Sequence, residues 1–530
     1  MEFNLADLLE SITDTLPDRE ALVCGSSRYT YAKLEARANR LAHHLRQAGL
    51  TAGEHVGLQL HNGVEYVEAL LACLKLRAVP VNVNYRYVER ELAYLYDDAD
   101  LAMLLFDAEL APRVAAATPD APKLRHLMAV GTPGDEPAPL DAARYEDALA
   151  AQPARREFPA RSPDDHYIIY TGGTTGMPKG VVWRQEDLFF AGMGGGEPMG
   201  EPVSRPEEIA ERAAGRGPLV MFPVAPLMHG AAQLATFIGF LQGQKVVLVR
   251  RFDAAQVWEV VAREGANAIS IVGDAMARPM VDALRGQDAG TDMSSVLSLS
   301  SAGALLSASV RDELQELLPN ALILDNFGAS ETGFNGTGTL DADGKPRVTV
   351  NDRTAVLGES LRPLPPGSGE VGRLAQRRHV PLGYYKDTEK TASTFVTVDG
   401  ERWVLLGDMA RVEADGTVSF LGRGSVCINS GGEKIYPEEV ESVLKGHPAV
   451  FDALVTGVED PTYGERVAAV VQLRADVARP TEQELDTHCR AGLASYKVPR
   501  SVIFVDEVQR SPSGKPDYRW ARRVAEVPAP

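Results

Sequence analysis

Thr171-Gly172-Gly173-Thr174-Thr175-Gly176-Met177-Pro178-Lys179-Gly180 is the stretch that decides how this chain is read. A strand-like run, His166-Tyr167-Ile168-Ile169-Tyr170, leads straight into it. Three glycines and three threonines fill its first six residues. Few Cβ atoms obstruct such a backbone, and many N–H and hydroxyl groups can donate from it. A loop of this kind wraps an anion closely, as backbone nests and helix ends do. Lys179 adds a positive charge at the far end. The pattern is not the Walker loop, which needs Gly-Lys-Ser/Thr in succession; here Pro178 precedes the lysine and Gly180 follows it.

The chain has 530 residues, too many for one core, so two or more domains are expected. The formal net charge of −19 argues against a nucleic-acid partner and against an electrostatic grip on anionic lipid. An anionic substrate must then be met by lysines and arginines placed locally. The four cysteines, Cys24, Cys73, Cys427 and Cys489, fit neither a CxxC pair nor a zinc site and are expected to be reduced and buried. Residues 1–7 lack the basic and apolar regions of a signal peptide, and no apolar run approaches transmembrane length. A cytoplasmic location is expected.

Outward from the loop, helical and strand-like patterns alternate. Residues 31–45 place apolar side chains at helical spacing, Val56–Leu60 reads as a strand, 67–77 as a helix and Ala78–Val83 as a strand. Residues 219–224, 245–249, 268–272, 296–300 and 321–325 are further strand candidates. Such alternation implies a parallel α/β sheet. Residues 107–163 read as surface connections around short elements, and 351–422, with Gly, Pro and short alternating runs, as a small β-rich subdomain. A last unit, 427–530, has its own strands and helices. The division expected is 1–422, a hinge at 423–426, and 427–530.

Further motifs follow in order: Phe222-Pro-Val-Ala-Pro-Leu-Met-His-Gly230, Ser300-Ser-Ala-Gly-Ala304, Asp325-Asn-Phe-Gly-Ala-Ser-Glu-Thr-Gly333, Gly383-Tyr-Tyr-Lys-Asp387, Gly407-Asp408, Leu421–Glu441 and Arg510-Ser-Pro-Ser-Gly-Lys515. With the glycine–threonine loop they cover nearly the whole chain, and the set resembles the acyl-adenylate-forming enzymes. The variants Val182-Trp-Arg-Gln-Glu-Asp187 and Gly422-Arg-Gly-Ser-Val-Cys-Ile-Asn429 look like a bacterial acyl-CoA synthetase branch that includes enzymes activating fatty acids and steroid side-chain acids.

The resemblance implies an α/β multidomain fold. A large N-terminal domain carries α/β sheets and a small distorted β-barrel, and a small mobile α+β C-terminal domain follows. It implies a ligase that uses ATP, Mg²⁺ and CoA on a small-molecule carboxylic acid, with a homodimer left open. Bringing a carboxylate up to a triphosphate requires donors and positive charge placed beforehand where charge develops. Thr171, Gly172, Gly173, Thr174, Thr175 and Lys179 then cradle the triphosphate. Glu331 takes the Mg²⁺, a hard cation that prefers oxygen ligands, and Ser330 contacts the α-phosphate. Gly303 and Ala304 give adenine a flat backbone, and Phe327 a ring for its other face. Asp325 or Asn326 reads the adenine amino group. Asp408 and Arg423 hold the ribose, and Lys515 swings in to bridge carboxylate and phosphate; with Glu331 and Thr171 it forms the catalytic set.

His229, Gly303 and Gly328 border the acid, with His229 as pocket wall and not as a metal ligand. Ser425 is the pivot expected within the hinge. Ser430, Gly431, Gly432 and Glu433 form the loop beside the pantetheine arm of CoA. The glycine-rich Ala191–Gly200 segment reads as an insertion, either a plain surface loop or one whose small residues leave room for a bulky acyl group. Three other functions are carried as alternatives. One is an adenylating enzyme that hands its acyl group to a carrier-protein thiol; another is a CoA ligase for a different, small or aromatic acid; the last is a nucleotide-binding regulator without catalysis, which intact Lys515 and Glu331 disfavour.

Overall fold

The computed structural model describes the chain except residues 132–139, 172–176, 287–291, 305, 341–345, 351, 424–425, 431–432, 461–462, 476, 511–514 and 527–530. Strand His166–Thr171 forms as its sequence predicts and lies within an eight-stranded sheet. It pairs in parallel with Val79–Asn82 and antiparallel with Lys179–Arg184, and the Thr171↔Lys179 pair closes the ladder where the glycine–threonine loop begins. Deeper in the sheet, Leu101–Asp107 is buried along its whole length. Its run Leu-Ala-Met-Leu-Leu-Phe-Asp is what a parallel strand covered on both faces requires.

A second sheet holds fourteen strands among the described residues. Its parallel part runs Glu20–Cys24, Lys245–Leu248, Val220–Pro223, Ala268–Ile271, Ser298–Ala302, Leu322–Ala329. The segments that leave the C-terminal ends of these strands include 224–229, Gly303–Ala304 and Ser330–Glu331, so residues far apart in sequence gather at one sheet edge. In open α/β sheets that edge is where ligands bind. Leu322–Ala329 then turns into the antiparallel Gly333–Leu340, and pairing continues through Pro346–Val350, Val418–Arg423, Glu401–Val412, Gly372–Arg377 and Thr354–Leu357. The β-rich segment expected at 351–422 is thus hydrogen-bonded into the large sheet of the N-terminal unit. Strand Gly333–Leu340 makes the join, pairing on both of its edges.

Sheet membership changes between Arg423 and Ile428. Beyond it, Ile428–Ser430, Glu433–Ile435, Gly464–Leu473, Val450–Asp460 and Ser501–Val505 make a five-stranded sheet with helices Pro437–Lys445, Glu482–Gly492 and Tyr518–Glu526. Gly424 and Ser425, the expected pivot, lie outside the described residues. All four cysteines are unbridged; Cys73 and Cys489 are buried as expected, whereas Cys24 and Cys427 are only half-buried. Burial pushes the Cys73 thiol up to about 12 and those of Cys24 and Cys489 to about 11, so these three stay protonated at neutral pH.

The C-terminal core also holds a titratable acid. Glu441 is 2 % exposed, and its Oε1 accepts a hydrogen bond from the Val455 N–H at 2.9 Å. Burial pushes its carboxyl up to about 8, against the attraction of Lys445. The folded chain therefore keeps a proton there that the unfolded chain releases near the ordinary carboxylate value. Stability is fully present below that value and falls as pH rises toward 8. Glu441→Gln keeps the acceptor and removes the titration. Its stability relative to the natural chain is expected to rise between pH 5 and pH 8, by about 1 kcal/mol per pH unit, read from urea unfolding at the two pH values. A difference that does not change with pH would show that Glu441 is ionised in the fold.

Candidate functional site

The Ser330-Glu331 turn is fixed from inside and outside. Ala329 N–H donates to Thr332 Oγ1 at 3.1 Å, and Thr332 N–H donates back to the Ala329 carbonyl at 3.1 Å, with Thr332 buried. Trp183, fully buried in strand Lys179–Arg184, donates its indole N–H to the Ser330 carbonyl at 2.9 Å. The strand that leaves the glycine–threonine loop is thereby tied to the turn that carries Glu331. Tyr384 donates its hydroxyl to Glu331 Oε1 at 2.8 Å. Burial, and then the Glu331 charge, push the Tyr384 hydroxyl above its ordinary value, so it remains a donor. Tyr384 reaches this position because Gly383–Tyr384 pairs with Val181 and Val182 of the same hairpin.

At the mouth of the loop, Lys515 Nζ lies 3.5 Å from Thr171 Oγ1, the outer reach of a hydrogen bond, across a separation of 344 residues. Lys179 Nζ lies 2.5 Å from Asp387 Oδ2. Lys179 draws the Asp387 carboxyl below its ordinary value, and Asp387 also caps helix Thr388–Thr394 by accepting from the Lys390 N–H at 2.9 Å. Lys179 therefore meets a carboxylate here, and a triphosphate would compete with it. His229 stands at the N-cap of helix Gly230–Leu241 without a side-chain cap bond. Burial first, then the charges of Arg86 and Lys515, push its imidazole down to about 4. It is neutral at physiological pH, as a buried imidazole beside two cations must be.

Two buried asparagines join the sheets beneath this group. Asn82 donates to the Tyr170 and Met228 carbonyls at 2.8 and 2.7 Å and accepts from the Tyr170 N–H at 2.7 Å. Asn62 donates to the Ala225 carbonyl at 3.2 Å and accepts from the Leu227 N–H at 2.6 Å. They fix the His229 segment against the strand that ends in Thr171. Sequence reasoning passed over both. The available signal was a polar residue, Asn82, inside the apolar run 78–83.

The remaining candidates distribute as follows. Gly303 has φ +80°, and a Cβ placed there would meet nothing nearer than Val272 Cγ1 at 4.0 Å. An open backbone cradle of this kind suits a flat ring. Phe327 packs on Phe420 with centroids 4.1 Å apart and planes 38° apart. Asn326 Oδ1 accepts from the Thr337 hydroxyl at 3.1 Å. Burial pushes the Asp325 carboxyl up to about 7, opposed by Arg311. Asp408 is half-buried, and its backbone pairs with that of Arg423. At Gly328 a Cβ would come within 2.1 Å of the Gly333 carbonyl oxygen, so close chain approach demands this glycine.

Ser430 and Glu433 pair across a hairpin of the C-terminal sheet and make no hydrogen bond to the Thr171–Glu331–Lys515 group among the described residues. Gly172, Gly173, Thr174, Thr175, Ser425, Gly431 and Gly432 lie outside the described residues, as does the Arg423 side chain.

The glycines at 194–196 do not open space. They adopt φ of +61°, +60° and +82°. A Cβ at Gly195 would meet Pro202 at 2.6 Å, and one at Gly196 would meet Ile209 at 2.4 Å. The chain that follows folds back and fills the volume the small residues release.

The AMP-binding enzyme family matches residues 9–385, and the AMP-binding enzyme C-terminal domain matches residues 439–515. The chain belongs to this family. It is 49 % identical to a medium/long-chain-fatty-acid–CoA/3-oxocholest-4-en-26-oate–CoA ligase of Mycobacterium marinum, over 99 % of this chain and 97 % of that protein. It is 48 % identical to a 3-oxocholest-4-en-26-oate–CoA ligase of Rhodococcus rhodochrous, over 98 % and 96 %. Among solved structures it resembles ATP-bound MatB from Rhodopseudomonas palustris, with TM-score 0.82 and 25 % identity over 99 % of both chains. It shares its fold with the anthranilate CoA ligase AuaEII in complex with anthranoyl-AMP, with TM-score 0.85 and 24 % identity over 98 % and 97 %.

Proposed function

We propose that this chain is an ATP-dependent acid–CoA ligase acting on medium- to long-chain fatty acids or steroid side-chain acids. One observation carries most weight: Lys515 reaches Thr171 from the far end of the chain, at the mouth of the hairpin whose Trp183 holds the Glu331 turn. Substrate class is supported by the names of relatives at 49 % and 48 % identity over nearly the whole chain.

In the first half-reaction a carboxylate oxygen attacks the α-phosphorus of ATP, the bond to the β-phosphate oxygen breaks, and acyl-AMP and pyrophosphate form. Lys515 neutralises charge between the two anions, and Thr171, Thr174, Thr175 and Lys179 hold the phosphates. Lys179 exchanges the Asp387 carboxylate for phosphate oxygens on binding. Glu331, oriented by Tyr384, is the carboxylate that would hold Mg²⁺, which when bound offsets the developing phosphate charge. The open backbone at Gly303–Ala304 and the ring of Phe327 receive adenine, Asp325 or Asn326 reads its amino group, and Asp408 and Arg423 hold the ribose. In the second half-reaction the CoA thiol gives up its proton as its sulfur attacks the acyl carbonyl carbon, the bond from that carbon to the phosphate oxygen breaks, and AMP departs.

Residues 423–426 act as the hinge that swaps Lys515 for the 430–433 loop between the two halves, with Ser425 as pivot. No helix among the described residues is long and apolar enough to cross a membrane; the location proposed for the enzyme is the cytoplasm.

Pyrophosphate release across a panel of acids, with and without CoA, tests this. Hydrophobic pockets discriminate by roughly 1–3 kcal/mol per methylene, so kcat/KM for long fatty or steroid side-chain acids is expected to exceed that for acetate by about a hundred-fold or more. A preference for acetate or a small aromatic acid would overturn the substrate class, and no acid-dependent release would overturn the ligase.

A further inference from the structure

Lys445 ends helix Pro437–Lys445 at the boundary of the two units and is 4 % exposed. Its carbonyl accepts hydrogen bonds from Arg278 Nη2 at 3.1 Å and Ser309 Oγ at 3.2 Å, both in the N-terminal unit. Its ammonium lies 3.7 Å from Asp274 Oδ2 of that unit, an ion-pair separation without a hydrogen bond, and 3.2 Å from Asp452 Oδ1 of its own. Asp452 in turn accepts from Arg510 Nε at 3.0 Å and from Arg510 Nη2 at 2.7 and 2.9 Å. Arg510 pairs with Pro516 in an antiparallel bridge, and so closes the base of the segment that carries Lys515. A continuous polar path thus runs from helix Gly273–Gly286 to the root of the lysine that reaches Thr171.

We propose that Asp274 and Lys445 form a latch that positions Lys515, holding the C-terminal unit in its adenylation orientation and parting when the thioester half-reaction begins. This rests on the ligase reading above and names the contact that sets the timing of its two halves. The grip has a clear source. A buried ammonium between two carboxylates loses compensation when either is removed, and a cation at a helix C-terminus is favoured by the helix dipole, as Arg278 is here.

The release also has a source. Arg278 is 2 % exposed, and its Nε and Nη1 have no hydrogen-bond partner among the described residues. Burial, joined by the charge of Arg474, pushes its guanidinium below its ordinary value, with Asp274 the largest opposing charge. Buried donors left without partners cost free energy that hydration returns. Separation of the units lets water reach them and offsets part of the lost latch. The contact therefore selects an orientation without making it permanent. Arg474, near Glu313 at 3.5 Å and Asp282 at 3.7 Å, flanks it more weakly.

The test uses the full chain and both half-reactions. Asp274→Asn keeps the acceptor for the Ser307 N–H, which Asp274 Oδ1 now receives at 2.8 Å, and removes only the charge facing Lys445. Pyrophosphate release is expected to fall about tenfold, within the usual range of inter-site coupling, while thioester formation from supplied acyl-AMP is unchanged or faster. Asp274→Glu, which keeps the charge, should recover most of the loss. Ser309→Ala should move the ratio the same way by less.

A readout independent of activity is the distance between spin labels on helices Ala308–Leu317 and Glu482–Gly492. One dominant distance is expected in the natural chain and a broadened distribution in Asp274→Asn. Equal loss in both halves, or an unchanged distance distribution, overturns the latch. If the natural chain releases no pyrophosphate with any acid, the ligase reading falls, and the label distances still decide the latch.

Discussion

Lys515→Ala is expected to slow acyl-AMP formation from ATP and free acid by about a thousand-fold, at the upper end for loss of one group aimed at developing charge. Thioester formation from supplied acyl-AMP should stay close to that of the natural chain. The asymmetry follows from placement. Lys515 is half-buried at Thr171, where the proposed reaction brings the anionic acid and triphosphate together. No other described lysine or arginine donates to Thr171, and Lys179 is occupied by Asp387. Once acyl-AMP exists, the charge that Lys515 offsets has left with pyrophosphate. The measurement is single-turnover kinetics of each half separately. Equal losses in both would mean that Lys515 supports the fold of the site, not the first step.

Glu331→Gln is expected to lower pyrophosphate release by about a hundred-fold and to shift its dependence toward higher Mg²⁺. The substitution preserves shape and an acceptor for Tyr384, so the turn held by Trp183 and Thr332 should persist. What it removes is a negative charge suited to a hard cation. Tyr384→Phe should reproduce the effect at a smaller scale, about tenfold, because a hydrogen bond to a charged group contributes roughly 1.5–3 kcal/mol and only orientation is lost. A Mg²⁺ titration of initial rates separates the cases. Full activity of Glu331→Gln at low Mg²⁺ would remove the metal role. A Tyr384→Phe effect larger than that of Glu331→Gln would make the phenol, not the carboxylate, the functional group.

Much of this was legible in the residue order. The apolar run Leu101–Asp107, the period of 31–45 and the glycine–threonine punctuation after Tyr170 report local geometry, because backbone hydrogen bonding and burial repeat at fixed spacing along the chain. Lys515, Glu331, Asp408 and the glycines at 303 and 328 were likewise proposed as site residues from the sequence, because their motifs stand in a fixed order. The residues that aim them were not. Trp183 reaches Ser330 across 147 positions and Tyr384 reaches Glu331 across 53, and neither separation has a period. The Lys179–Asp387 pair, the Asn82 bridge and the Asp274–Lys445 latch are of the same kind. Which polar groups meet was settled by how two sheets and a C-terminal unit pack, since a buried donor or charge must find its partner wherever the fold brings one. The glycines at 194–196 make the point from the other side. Sequence shows only that they lack side chains. Whether the space released becomes a pocket or is filled depends on where Pro202 and Ile209 come to rest, and close packing of the interior filled it.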